Sequence, residues 1–368
     1  MAEFTLVAVD GVARSGTLRL THGTVETPCF MPVGTGATVK GLTPSDLHAS
    51  GAQIVLANDY HLWLRPGLRV LEAAGGLHRF MGWDGPILTD SGGFQIFSLE
   101  GRRTIDDDGV TFRSHLDGSE HRFTPESVLD FSRRIGVDIA MVLDVCTKLP
   151  ATREQLERAV VLTTQWAKRS AERSNDGATA AFAIVQGGLD RGLRERSARE
   201  LVELDFPGYA IGGLSVGETR DELYDTARFT AELLPPGKPR YLMGVGTVTD
   251  LIAAVDAGID LFDCVYPTRC GRTGRAMTRD GHFNIFNARY ADDFAPVDPT
   301  CECRVCGQFG RAYLAHLFRS QEMLGPRLLS EHNVAMLNQL MRDARAAIRT
   351  GNWNVLAQSL LGRTKQSV

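Results

Sequence analysis

Short β-rich or apolar runs recur along this chain, separated by polar or helix-forming stretches. They fall at residues 28–33, 54–57, 86–89, 139–143, 181–185, 208–211, 240–243 and 260–265. Several are apolar almost throughout, the pattern of parallel strands covered on both faces. The intervening segments predict helices at 125–135, 153–173, 191–204, 220–234 and 249–257. Thr124 before Pro125 reads as a helix cap followed by a first-turn proline, and Thr152 stands in the cap position before Arg153. About eight βα units predict an α/β fold of the (β/α)8 TIM barrel type. A doubly wound open sheet is the competing arrangement, but no G-x-G-x-x-G follows a first strand. At the start, residues 4–9 and 17–20 flank a turn region at 11–16 and predict a β-hairpin capping the barrel. Residues 283–329 interrupt the last βα unit, and 333–349 predict a helix rich in Ala, Leu, Met and Arg. The expected organisation is a barrel with its hairpin over 1–282, an inserted subdomain over 283–332 that carries a cysteine cluster, and a helical segment over 333–368 that completes the barrel.

Polar residues gather where the strands finish. Asn58-Asp59-Tyr60-His61 ends the second run, Thr89-Asp90-Ser91-Gly92-Gly93-Phe94-Gln95 the third, and Asp144 the fourth. Gln186-Gly187-Gly188, Gly212-Gly213-Leu214, Gly244-Val245-Gly246-Thr247 and Asp263 end the remaining four. In a barrel these positions converge on one face, the C-terminal one, where reacting groups sit. A single Asp after a strand is ordinarily a helix cap or turn residue. Three strand-end carboxylates with a Gln and three glycine pairs point instead to an active site. Paired carboxylates suit chemistry at an anomeric carbon, one attacking or stabilising the sugar while the other moves protons. Asp144 and Gln186 offer an acceptor and a donor for the edge of a flat heterocycle, and Phe94 offers a face to stack on. No phosphate-binding loop and no catalytic metal triad is present in the sequence.

Cys301, Cys303 and Cys306 lie within six residues, with His332 beyond a polar loop. Four soft ligands are what a closed tetrahedral zinc site requires. His316 competes as fourth ligand on local spacing alone, but it sits in an apolar helical pattern. Seven cysteines, three of them clustered, suit a reducing cytosol and a metal site better than a disulfide framework. A cytoplasmic protein is expected: no apolar run approaches the roughly 20 residues of a membrane span, and the start lacks the pattern of a signal peptide. The formal charge is −4, yet from Cys301 onward nine Lys/Arg face four acids, leaving −9 for the remainder. Upstream, Arg269, Arg272, Arg275 and Arg279 recur among glycines and threonines. Local positive charge of this kind attracts a phosphate backbone even on an acidic protein.

These segments together resemble the bacterial tRNA-guanine transglycosylases, the queuine tRNA-ribosyltransferases of queuosine synthesis. The resemblance rests on the Thr89–Gln95 segment, Asp144 with Cys146, 184–188, 210–218, 241–246, 263–269 and the cysteine cluster with His332, and spans essentially the whole chain. It implies exchange of guanine at the wobble position (34) of GUN-anticodon tRNAs for a 7-deazaguanine, without cutting the strand. On that likeness Asp263 is the nucleophile that attacks ribose C1′, and Asp90 is the general acid/base. Two displacements would retain configuration. Ser91, Gly92, Gly93, Phe94, Asp144, Gln186, Gly213, Leu214, Glu218 and Met243 would join Asp90 in holding the base. Gly244, Val245, Gly246, Thr247, Val248, Thr249 and Asp250, with Thr268, Arg269, Cys270, Gly271 and Arg272, would grip neighbouring nucleotides of the anticodon loop. The resemblance further implies one structural zinc per chain, a homodimer, and no membrane association.

One departure stands out: position 145 is valine where bacterial relatives usually carry glutamate. Val216 and Cys146 fit a pocket for the small base preQ1, while Val145 keeps direct use of queuine open. A non-catalytic zinc-containing tRNA-binding partner subunit would lack the strand-end carboxylates present here. An archaeosine-type enzyme would carry further C-terminal RNA-binding domains, and a barrel hydrolase of free nucleosides would leave the arginine-rich loop without a purpose.

Overall fold

The eight apolar runs become eight parallel strands because each is too uniformly hydrophobic to leave either face in water. The computed structural model describes residues 2–98, 101, 103–173 and 178–366. The strands are Cys29–Pro32, Val55–Asn58, Ile87–Asp90, Ile139–Met141, Ala180–Val185, Gly208–Ile211, Arg240–Leu242 and Leu261–Cys264. Every residue of the fifth, Ala-Ala-Phe-Ala-Ile-Val, is buried. From the second strand on, each pairs with the next in sequence order, and the eighth pairs with the first through Leu261 opposite Cys29 and Asp263 opposite Met31. The ring closes between the first two strands at a bridge joining Val33 to Leu56, where the Gly34 amide donates to the Leu56 carbonyl at 2.6 Å. The arrangement is the expected barrel with its outer helices.

The expected caps form. Thr124 Oγ1 accepts from the Ser127 amide at 3.2 Å while Ser127 Oγ accepts from the Thr124 amide, starting helix Pro125–Arg134 with proline in its first turn. That helix buries Val128, Leu129, Phe131 and Ser132 on one face, the spacing of an amphipathic helix laid on a sheet. Thr152 and Gln155 make the same reciprocal exchange before helix Arg153–Arg173.

The structure differs from expectation in three places. The opening hairpin, Glu3–Asp10 with Ala13–Leu20, carries a third antiparallel strand, Gly23–Thr27. It covers the N-terminal mouth of the barrel, where buried Arg14 donates to Asp260, the residue just before the eighth strand, at 3.0 Å. A second three-stranded antiparallel sheet, Arg103–Asp106, Gly109–Arg113 and Glu120–Phe123, is inserted after the third strand. The helix expected to begin at residue 333 runs from Leu324 to Arg349, so His332 stands on a helix rather than after a loop. Its Pro326 sits in the first turn, where the missing N–H costs no hydrogen bond. Before this helix come strands Arg275–Thr278 and Gly281–Asn284 and helices Arg304–Gln308 and Arg311–Arg319. Asp46, on helix Pro44–Ala49 at the barrel, binds Arg304 at 3.1 Å and Arg327 at 2.8 Å and so ties this region to the barrel wall.

Candidate active site

The strand ends do converge. A cavity of about 470 Å³ opens at the C-terminal face, within the size of small-molecule sites. Asp90, Ser91, Gly93, Phe94, Asp144, Gly213, Leu214, Met243 and Asp263 all line it.

Asp90 closes the third strand and is buried. Gln95 Nε2 donates to its Oδ2 at 2.9 Å, as does Asn58 Nδ2, while the amides of Gly92 and Asp59 donate to Oδ1 at 3.2 and 3.3 Å. Burial nevertheless pushes its carboxyl up to about 7, and the nearby Asp263 adds a smaller push in the same direction. The folded chain therefore keeps a proton that the unfolded chain releases. This costs stability progressively as pH rises from the ordinary carboxylate range to about 7.

Asp263 closes the eighth strand. The Tyr241 hydroxyl donates to its Oδ1 at 2.6 Å and the Gly244 amide at 3.0 Å. One carboxylate oxygen is thus pinned, and Oδ2 makes no hydrogen bond among the described residues. Burial raises this carboxyl too, against the Tyr241 and Gly244 donors. Two acids from strands far apart in sequence share one cavity, each oriented by donors.

Asp144 and Gln186 meet as well. Gln186 Nε2 donates to Asp144 Oδ2 at 2.7 Å, and Ser91 Oγ to Oδ1 at 3.3 Å; burial pushes Asp144 up to about 6. The backbone crowds this pair: a Cβ on Gly93 would come 2.6 Å from Asp144 Oδ1. Gly213, at φ +64°, would place one 2.5 Å from Gln186 Oε1. Side chains at either position would displace the polar pair. Gly92 is buried behind the cavity wall. Glu218 turns back on its own loop, its carboxylate accepting from the amides of Ser215 and Val216, the latter at 3.0 Å. It shapes the strand-six loop rather than lining the cavity.

Val145 points away from this space. It packs against the apolar cluster that holds Phe112 and Trp166, and its amide donates to Thr163 Oγ1 at 3.0 Å. Cys146 does line the cavity, whereas Val216 packs beside Leu149.

Of the two stretches expected to meet nucleic acid, Gly244 and Arg269 are exposed and line the cavity rim, and Arg272 is half-buried with Nη1 free of any hydrogen bond. Val245, Gly246, Val248, Thr268, Cys270 and Gly271 are buried. Thr247 and Asp250 cap helix Val248–Asp256, and Thr249 Oγ1 lies 3.1 Å from Thr247 Oγ1. These residues shape the loops.

Sequence patterns missed the residues that hold the site. Arg194, fully buried on helix Arg191–Val202, donates to the carbonyls of Gly188 at 2.7 Å and Gly212 at 2.9 Å, fixing two glycine loops at once. Tyr241 acts across strands, which no local spacing reveals, and Asn58, legible only as a polar strand end, reaches across to Asp90.

The cysteine cluster assembles as expected. One ligand atom each from Cys301, Cys303, Cys306 and His332 lie within 4.8 Å of one another, and the cluster is largely buried. His332 Nε2–H donates to the Met277 carbonyl at 2.8 Å, which turns Nδ1 toward Cys303 Sγ at 3.5 Å and Cys306 Sγ at 3.3 Å. A ligating imidazole is oriented this way, so these four residues can hold a metal ion. His316 is exposed and takes no part.

Comparison with known proteins agrees with this geometry. The family model described as "Queuine tRNA-ribosyltransferase" matches residues 10–366. The chain belongs to the queuine tRNA-ribosyltransferase family. A protein of that name from Pelotomaculum thermopropionicum is 54% identical over 339 residues, covering 92% of this chain and 92% of the relative. Those of Solidesulfovibrio magneticus and Granulibacter bethesdensis are each 53% identical, covering 95% and 94% of this chain and 94% and 92% of the relatives. As a queuine tRNA-ribosyltransferase family member the chain is an enzyme of the pentosyltransferase class. No helix among the described residues is long and apolar enough to cross a membrane.

Proposed function

We propose that this enzyme exchanges guanine at the wobble position of GUN-anticodon tRNAs for preQ1, through a covalent link between Asp263 and ribose C1′. The observation that carries this reading is the meeting of Asp263 and Asp90 in one cavity, beside a polar pair suited to a purine edge. Asp263 Oδ2, the oxygen without a donor, attacks C1′ while Tyr241 and Gly244 hold Oδ1. Asp90, protonated below about pH 7, gives its proton to the departing guanine and takes one from the incoming base. Asp144, Gln186 and the Gly213–Leu214 backbone bind the base edge, Phe94 and Met243 cover its faces, and Ser91, Gly92 and Gly93 shape the wall. Glu218 acts through the backbone it holds. The target base leaves the anticodon stack, which costs a few kcal/mol. Gly244, Arg269 and Arg272 meet the flanking phosphates, and the buried members of 244–250 and 268–272 place them.

Cys301, Cys303, Cys306 and His332 would hold zinc in a closed structural site, with no ligand position left for water. We assign 1–282, 283–332 and 333–368 as barrel, zinc subdomain and closing helices, the last two sharing helix Leu324–Arg349. The likeness to the family also supports a cytoplasmic homodimer.

Exchange of labelled guanine in an anticodon stem-loop, run with preQ1 and with queuine, tests the base. PreQ1 should be preferred, since Val145 lies outside the cavity wall and Cys146 lies in it. Preference for queuine would overturn that assignment. Asp90→Asn is expected to slow turnover about 10²–10⁴-fold. The wild-type kcat/KM for tRNA should fall above about pH 7 as Asp90 loses its proton, and the variant should lack this limb. Undiminished turnover of Asp90→Asn would remove Asp90 from proton transfer.

A further inference from the structure

At the opposite mouth of the barrel, His22, His78 and Asp138 bring one ligand atom each to within 4.8 Å of the others. They come from three separate pieces of chain. His22 is in the turn before strand Gly23–Thr27, His78 is on helix Leu77–Met81, and Asp138 immediately precedes the fourth barrel strand. The amides of His22 and Ile87 donate to Asp138 Oδ1 and Oδ2 at 2.9 and 3.0 Å, which fixes the carboxylate and leaves each oxygen a lone pair. His22 Nδ1 lies 3.1 Å from both oxygens, and His78 Nε2 lies 3.3 Å from Oδ2. His78 Nε2 is nonetheless a buried nitrogen without a hydrogen-bond partner.

A cation bound at the usual zinc distance of about 2.0–2.1 Å keeps neighbouring ligand atoms about 3.0–3.4 Å apart. The observed 3.1 and 3.3 Å separations, those of the hydrogen bonds and ion pair these side chains make with Asp138, lie in that range. Two imidazoles and one carboxylate form a nitrogen–oxygen donor set, suited to zinc, cobalt or nickel rather than to calcium or magnesium. We propose that His22, His78 and Asp138 form a second divalent-cation site, separate from the cysteine cluster, at the N-terminal mouth of the barrel. The two imidazole rings stack with centroids 3.6 Å apart, so one ring must turn for both nitrogens to face a common ion. His22 is the ring free to do so, lying on a turn with its side chain 36% exposed. A cavity of about 450 Å³ adjoins the cluster, lined among the described residues also by Arg79 and Arg133. The remaining coordination positions therefore open to water or a small anion. Bound there, the ion joins the N-terminal sheet to the barrel floor, far from the exchange reaction.

Cobalt(II) tests the assignment on the full-length protein, because the two sites have different optical signatures. Thiolate ligands give an intense near-ultraviolet charge-transfer band, whereas a nitrogen–oxygen site gives only weak visible bands. Wild-type protein equilibrated with excess Co(II) should retain two equivalents. His22→Ala and His78→Ala should each retain one, with the thiolate band unchanged. Should His78→Ala fail to fold, the turn substitution His22→Ala decides alone. Retention of one equivalent by the wild type, or of two by the His22→Ala protein, would overturn the proposal. Inorganic phosphate raising the melting temperature equally in wild type and His22→Ala, with only one equivalent of cobalt bound, would mark an anion pocket instead and also overturn it.

Discussion

Asp263→Asn should lose base exchange by about 10⁴-fold or more, the scale on which removal of a covalent nucleophile is felt. The substitution is close to isosteric. Its remaining carbonyl oxygen can still accept from the Tyr241 hydroxyl and the Gly244 amide, which lie 2.6 and 3.0 Å from Oδ1 in the native site. The strand end therefore keeps its shape while the attacking oxygen becomes an amide nitrogen. Folding should not suffer, because burial already disfavours the native carboxylate at this position. Thermal unfolding followed alongside exchange separates the two effects. Unchanged melting with exchange lost fits the account; exchange within about tenfold of wild type would place the nucleophile elsewhere.

Cys303→Ser should strip the metal and loosen the region around residues 301–332 without touching the reaction centre directly. Cys303 has two functions here. Its Sγ faces His332 Nδ1 at 3.5 Å, and it also accepts the Cys306 amide at 3.4 Å as the cap of helix Arg304–Gln308. Serine is a good cap, so the helix start is preserved and only the thiolate is lost. Structural zinc contributes about 10–16 kcal/mol of apparent binding energy in small zinc-dependent folds. Losing it leaves buried Cys301 and His332 and half-buried Cys306 without their common cation. Metal content below one equivalent at the cysteine cluster, with rapid proteolysis confined to this region, is the expected result. Wild-type metal content and protease resistance would show that the cluster is no metal site.

Much of this architecture is legible in the chain because parallel barrel strands are buried on both faces and so read as uninterrupted apolar runs. The reciprocal cap at Thr124 and Ser127 follows from local chemistry, as does the first-turn Pro125. What stayed hidden depended on partners distant in sequence or on weak local pattern. The outer strands of the inserted sheet, Arg103–Asp106 and Glu120–Phe123, alternate more and less exposed positions over four residues each, a signal no stronger than that of a loop. The third N-terminal strand, Gly23–Thr27, is only five residues long and opens on a glycine, so its local signal is weak. Helix Leu324–Arg349 began earlier than expected because Gly325-Pro326 reads as a break, though a first turn tolerates it. The polar residues at the strand ends were visible as candidates. Their partners Tyr241 and Arg194 were not, and Asn58 showed only as a polar strand-end residue, since register between strands decides those contacts. Val145 was visible as a departure, and only its packing against the Phe112 and Trp166 cluster reveals which way it faces.

The most direct measurement is to incubate the wild-type enzyme with a wobble-guanine anticodon stem-loop and 9-deazaguanine, then resolve the mixture by denaturing electrophoresis. An RNA–protein band should survive denaturant in the wild type and be absent from Asp263→Asn. An adduct of equal yield in that variant would contradict it.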